Sequence, residues 1–117
     1  LDCIWVNGHP FAGPGVSCYL ASRLDQLVAS TDPVALDIWA TKNILVPEFL
    51  ANGYEPPWPS PSADPDDPNS KFRIYLDNSM DQLLAKGYSV TNELDSIDVY
   101  SWNGVPAPRR SSGRVGN

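Results

Sequence analysis

The sequence predicts a layered α/β fold, a sheet of short strands with helices packed on it, forming part of a larger domain. Three observations carry this expectation. The chain opens on an apolar stretch rich in Ile, Val and Trp, LDCIWV. An Asp-Pro pair at 32–33 begins a helix that is apolar on more than one face, and residues 71–86 repeat apolar side chains at helical spacing along one side. A helix apolar on several faces has to sit between layers rather than on the outside of one.

Residues 1–6 read as a buried strand, because β-branched and aromatic residues suit a covered pleat. Residues 7–17 then read as loop, and residues 24–29 as a second short strand, bounded by Ser30, Thr31 and Asp32. In STDPVALDIWATKNIL, Asp32 is placed to cap the first-turn amides and Pro33 gives up a donor that would have no partner there. Val34, Ala35, Ile38 and Leu45 make one apolar side, while Leu36, Trp39 and Ala40 are apolar too. Pro47 opens a second, short helix, PEFLAN, which Asn52 and Gly53 close.

Residues 54–70, YEPPWPSPSADPDDPNS, carry six prolines in seventeen positions. Proline fixes φ and removes donors, so this segment is an irregular surface flap, with Tyr54 and Trp58 as apolar anchors. The third helix, 71–86, is capped by Asn69 or Ser70 and stopped by Gly87. Its apolar side is Phe72, Leu76, Met80, Leu83 and Leu84, opposite Arg73, Asp77 and Asp81. Residues 88–90 and 97–102 are candidate strands. Residues 103–117 have almost nothing to bury and are expected to be disordered in isolation; RRSS reads either as a kinase or partner site or as a frayed tail. The domain is therefore expected to span residues 1–102.

The 117 residues are one domain's worth of chain, and the first residues already look like a strand without a leader, so the chain reads as a piece of something longer or a processed product. Residues 1–102 hold 14 acids and 5 bases, net −9, with Arg109, Arg110 and Arg114 beyond them. Such a surface repels phosphate backbones and anionic lipid, so nucleic acid is not an expected partner. No apolar run approaches the ~18 residues of a membrane span, and the chain reads as a soluble protein of bacterial type, cytoplasmic or exported. Cys3 and Cys18 are the only cysteines, too few for a four-thiolate metal site; they read as two buried thiols or, in an exported protein, as one bridge.

The stretch NGHPFAGPG, residues 7–15, poses the sharpest question. Gly8 and Gly13 have the spacing of a phosphate loop, but Pro14 and Gly15 stand where its lysine and hydroxyl residue belong, so no nucleotide loop is built. GxGxxG fails as well, because Cys18 occupies the third glycine position. What remains is a stiff Gly-rich loop at a strand end, a common place for a ligand in α/β folds. Asn7, Gly8, His9, Gly13 and Gly15 are therefore candidate ligand contacts, against the plain reading of a tight bend.

His9, the single histidine, is a candidate general base, against a structural role. Thr31 and Asp32 lie at a helix start that favours an anion, against simple capping. Asp37 is the second catalytic candidate, because a mid-helix carboxylate among apolar residues needs a partner or faces a cleft. The cluster Asp64, Asp66, Asp67 and Asn69 lacks the central Gly and terminal Glu of a calcium loop, so no metal site is assigned. No cofactor is specified by any motif.

DCIWVNGHPFAGPG, then LVASTDPVALDIWATKNILVPEF, a helix ending KGY and a final IDVYSW together resemble the C-terminal portion of the family called domain of unknown function 362. The resemblance runs over residues 1–102, and ASTDPVALD is its most specific element. It implies a larger α/β protein. Some members of that family carry ferredoxin-like iron–sulfur segments elsewhere, for which this chain shows no cysteine spacing. Carried over residue by residue, it implies a place, the GHPFAGPG loop with Thr31, Asp32 and Asp37, and no reaction.

Two functional expectations follow. In the first, the chain is part of a small-molecule or anion-binding enzyme whose loop 7–15 and helix start 30–33 line one cleft. That requires the first two strands to end on the same edge, since an antiparallel hairpin would put the two sites at opposite edges. In the second, the chain is a non-catalytic subunit or interaction module that uses the flap and the aromatics Tyr54, Trp58, Tyr100 and Trp102 against an upstream segment or another protein chain.

Overall fold

The computed structural model describes residues 1–10, 20–58 and 63–102. It is a mixed α/β fold in three layers: a two-stranded antiparallel sheet, a central helical rod and an outer helix. Strand β1 (Asp2–Asn7) pairs with β2 (Ala21–Leu27), with Asp2 opposite Leu27 and Asn7 opposite Ala21. Hydrogen bonds carry the pairing past both ends, from Val28 N to the Leu1 carbonyl at 3.0 Å and from Gly8 N to the Leu20 carbonyl at 3.1 Å.

The second strand thus begins three residues earlier than the sequence predicts. Its polar start, Ala21-Ser22-Arg23, has no apolar alternation to announce it and is held by the backbone ladder to β1. Between the pairs Cys3–Gln26 and Trp5–Arg23, β2 accommodates one extra residue, and Asp25 takes a left-handed φ of 53° there. Such a bulge bends the strand and raises its twist. Arg23 Nε to Asp25 Oδ1 at 2.7 Å closes over it on the exposed side.

Helix α1 (Pro33–Ala40) begins where the Asp-Pro pair predicts. Asp32 Oδ1 accepts from Val34 N at 2.9 Å and Ala35 N at 3.0 Å. The expected break before Pro47 does not occur. The chain continues through a π-helical turn, Thr41–Leu45, into α2 (Val46–Ala51), with helical backbone at both junctions. A proline inside a regular helix drives its ring against the carbonyl four residues earlier, here Asn43. The wider turn directly before Pro47 relieves that contact, and Asn43 Nδ2 donates to the Trp39 carbonyl at 2.9 Å.

Both later helix ends are glycine-closed in the same way. After α2, Gly53 (φ 82°) donates to the Leu50 carbonyl and Tyr54 N to the Phe49 carbonyl. After α3 (Lys71–Ala85), Gly87 (φ 83°) donates to Leu84 and Tyr88 N to Leu83. These are paired 5→2 and 6→1 bonds that satisfy carbonyls left over at the last turn. At its start, α3 is capped by Ser70, whose Oγ accepts from Arg73 N at 3.0 Å and donates to the Asp64 carbonyl.

The central rod explains its all-round apolarity by packing on two sides. Ala40 and Ile44 bury against Cys3 and Val6 of the sheet, with Leu24, Val28, Trp39 and Leu45 at the margin. Val34 and Ile38 bury against Leu76 of α3, with Phe72, Met80, Leu83, Val90, Leu94 and Ile97 around them. Leu84, expected on the apolar side of α3, is exposed, while its neighbour Leu83 packs on the cluster.

The candidate strands at 88–90 and 97–102 do not form. Residues 88–93 leave the α3 turn without regular structure, a single 3₁₀ turn follows at Leu94–Ser96, and 97–102 continue without ladder bonds. Among the described residues, β1 and β2 pair only with each other. The flap is ordered where it is described. Asp64 Oδ1 accepts from Asp66 N and Asp67 Oδ1 from Asn69 N, both at 2.9 Å. Pro65 is buried, and Lys42 forms an ion pair with Asp66. Residues 103–117, expected to be a tail, lie outside the described residues.

Candidate functional site

The loop and the helix start, expected to share a cleft, lie at opposite ends of the hairpin. The loop follows Asn7 at the Asn7–Ala21 end, and the helix start follows Leu27 at the Asp2–Leu27 end. The six residues of β1, five rises of strand, separate the two ends by roughly 17 Å. The antiparallel pairing thus sets the described start of the loop, Asn7–Pro10, and the turn Ser30–Asp32 at opposite ends of the hairpin.

At the loop end, the glycine has a packing reason. A Cβ on Gly8 would come within 2.2 Å of Asn52 Nδ2 and 3.0 Å of the Glu48 carbonyl oxygen. The strand exit thus runs flush against the last turn of α2, where Asn52 Nδ2 caps the Glu48 carbonyl at 2.8 Å. His9 is half-buried and meets the Tyr54 ring edge-on, centroids 4.9 Å apart at 60°. Pro10 is buried, and its carbonyl accepts from Ala63 N at 3.0 Å. Asn7 is half-buried at the end of β1. Gly13 and Gly15, the other two glycines of the stretch, lie outside the described residues.

At the helix start, the anion-favouring amides are already occupied. Asp32 Oδ1 takes the Val34 and Ala35 amides, and its Oδ2 accepts from Thr91 N at 2.8 Å, fifty-nine residues along the chain. The carboxylate is both a helix cap and a clasp for the segment leaving α3. Thr31 is exposed beside it. Capping accounts for the conformation of this turn, and the clasp to Thr91 is a role that sequence spacing does not reveal.

Asp37 lies elsewhere. It is half-buried on α1 and faces a groove of about 570 Å³ between α1 and α3, shared with Tyr75, Asn78, Ser79, Gln82 and Leu83. Burial raises its carboxyl pKa above the ordinary 3.8, because the low-dielectric wall disfavours the charged form. The cleft that a mid-helix carboxylate calls for is thus present, but it is built with α3 and without the loop or helix start. Asn78, Ser79 and Gln82 were missed because they sit on the helix side that reads as charged and solvated. Their signal is a run of neutral amides and a hydroxyl among the acids of α3.

A second groove, about 490 Å³, lies at the end of the sheet where β2 runs into α1. Leu27, Leu36 and Trp39 line it on one side and Val99, Tyr100 and Trp102 on the other. The 97–102 segment is held in place from within: Thr91 is clasped by Asp32, and Leu94 and Ile97 pack on the Val34–Ile38–Leu76 cluster. Tyr100 and Trp102 are exposed, as the partner-surface reading expects. Tyr54 and Trp58 are not. Tyr54 packs on His9, and Trp58 meets Phe49 edge-on at 5.5 Å and 84°. They anchor the flap to the core.

Among the described residues, no three His, Cys, Asp or Glu side chains converge into a set that could hold a metal ion. Asp64 and Asp67 are used by backbone amides and Asp66 by Lys42. No described helix is long and apolar enough to cross a membrane. Compared with family models, with curated proteins and with solved structures, the chain matches none.

Proposed function

We propose that this chain is a protein-interaction module, a subunit or part of a larger α/β assembly, that docks a partner polypeptide on the strip Leu27, Val99, Tyr100 and Trp102. The observation that carries the reading is the exposure of that strip. Leu27 is 78% exposed, Val99 51%, Tyr100 92% and Trp102 74%, all around one groove. Clustered apolar exposure of this kind marks an interaction surface, whereas scattered single residues do not. Tyr and Trp are also the residues that anchor protein interfaces, since they bury a large area at low entropic cost.

The balance of inside and outside supports the same reading. Among the described residues nine hydrophobic side chains are buried, and eleven large ones are exposed. A unit that leaves that much apolar area in water is completed by burial against another surface. The fitting partner has an apolar centre and a basic flank, because Asp25 and Asp98 rim the groove and the chain is net negative. The same charge repels nucleic acid and anionic lipid. The resemblance of residues 1–102 to the C-terminal portion of domain of unknown function 362 supports a place in a larger α/β protein. The enzyme reading, with one cleft lined by loop and helix start, is less favoured because the hairpin parts those two elements.

A photo-activated cross-linker placed at Tyr100 and, separately, at Leu27, in cells that express the protein, tests the proposal. The expected result is one discrete polypeptide adduct common to both positions, lost on Trp102→Ser, and no adduct from Asp81 on the outer side of α3. Equal adducts from Asp81, or none from either strip position, would overturn the reading.

A further inference from the structure

We propose that the groove between α1 and α3 binds a small organic cation, a primary ammonium carried on an apolar body, with Asp37 as its counter-ion. This goes beyond the interaction strip and lies on a different face of α1.

The groove's size falls in the range of small-molecule pockets, roughly 300–1,000 Å³, and its chemistry is divided as such sites are. Val34, Leu76 and Leu83 supply apolar wall, while Asn78, Ser79 and Gln82 supply polar groups along α3. Ser79 Oγ spends its proton on the Tyr75 carbonyl at 2.9 Å, so its lone pairs are left to accept. Asp37 adds the one formal charge of the lining, and that charge is negative.

Two basic side chains of the rod and of α3 are committed to other carboxylates, and among the described residues no basic side chain lines the groove. Arg73 Nε reaches both oxygens of Asp77, at 2.9 and 3.0 Å, and Asn92 Nδ2 reinforces that carboxylate at 3.0 Å. Lys42 pairs with Asp66. A half-buried carboxylate without a basic side-chain partner is stabilised by a ligand cation that displaces water from the groove. An anion is repelled by it. Calcium and magnesium take six or more oxygen ligands, and zinc favours His or Cys ligands that the described lining of the groove lacks.

The test is a titration of the ¹⁵N-labelled full chain with phenethylamine, followed by amide shifts, with 2-phenylethanol as the neutral isostere. The expected result is saturable shifts at Asp37, Asn78, Gln82 and Leu83, with the alcohol bound at least about tenfold more weakly, since a charge-assisted contact is worth about that factor. Asp37→Asn is near-isosteric and removes a penalised charge, so its spectrum stays dispersed while phenethylamine binding weakens by the same factor. Absence of saturable shifts, equal binding of the alcohol, or unchanged binding in Asp37→Asn with a dispersed spectrum would each overturn the proposal.

Discussion

Replacing Asp32 by alanine removes three backbone hydrogen bonds at once, those from Val34, Ala35 and Thr91. Loss of an N-cap costs about 1 kcal/mol, within 0.5–2. The amide of Thr91 donates to a carboxylate, a bond worth about 1.5–3 kcal/mol when buried, and Asp32 is only half-buried, which reduces it toward about 1. The expected total is therefore roughly 2–3 kcal/mol, read as a fall in urea midpoint with unchanged slope. Asp32→Asn separates the two roles. Its Oδ1 keeps the cap, while Nδ2 meets the Thr91 amide donor to donor, so the clasp is lost and the cap survives. Hydrogen exchange resolves this by residue: Thr91 exchanges faster in Asp32→Asn, Val34 and Ala35 do not, and all three do in Asp32→Ala. A cost below about 0.5 kcal/mol for Asp32→Ala, or identical exchange in both variants, would refute the structural account of this carboxylate.

Gly8→Ala forces its methyl onto Asn52 Nδ2 and is expected to cost about 1–3 kcal/mol in chemical denaturation, through overpacking and loss of the bond to Glu48. Asn52→Ala clears the space, so the double variant is expected to be more stable than the two single costs add up to; strict additivity would contradict the contact. Asp37→Asn is expected to stabilise the fold at neutral pH. Burial raises the Asp37 pKa above 3.8, so its ionised form is penalised above the folded pKa, and the penalty fades as pH falls through that value and is gone below 3.8. Thermal melts of parent and variant across acid pH should therefore converge on acidification, and a constant or widening gap would contradict the assignment.

Much of the architecture was legible from the sequence because its signals are local. Asp32-Pro33, Ser70 and the two helix-closing glycines each act within one turn, and the structure uses all of them. The apolar surplus of residues 34–40 correctly placed α1 between layers. What escaped reading depends on neighbours distant in sequence. Residues 97–102 have a strand-like composition but no ladder to join, and Ala21-Ser22-Arg23 have no such composition yet pair with β1. Pro47 signalled a helix start, and the π turn before it let the helix run on. The site was less legible than the fold. Asp37 was singled out as a carboxylate needing a cleft, but that cleft is completed by α3, through side chains whose polarity looks like ordinary solvated surface. Gly8 against a helix end and Asp32 at a capped helix start have packing and capping roles in the structure, and those roles use the same residue types as a ligand site. Tyr54 and Trp58 looked like partner surface because proline-rich context suggests exposure, whereas their rings close on His9 and Phe49.

Hydroxyl-radical footprinting of the protein in its native extract, against the purified chain, tests the interaction strip most directly. Tyr88, 63% exposed just past the end of α3, serves as the internal reference for Tyr100. The account predicts that Tyr100 and Trp102 oxidise readily in the purified chain and are protected in the extract, while Tyr88 reacts alike in both. Equal oxidation of Tyr100 in the two samples would contradict the claim that this surface is covered by a partner.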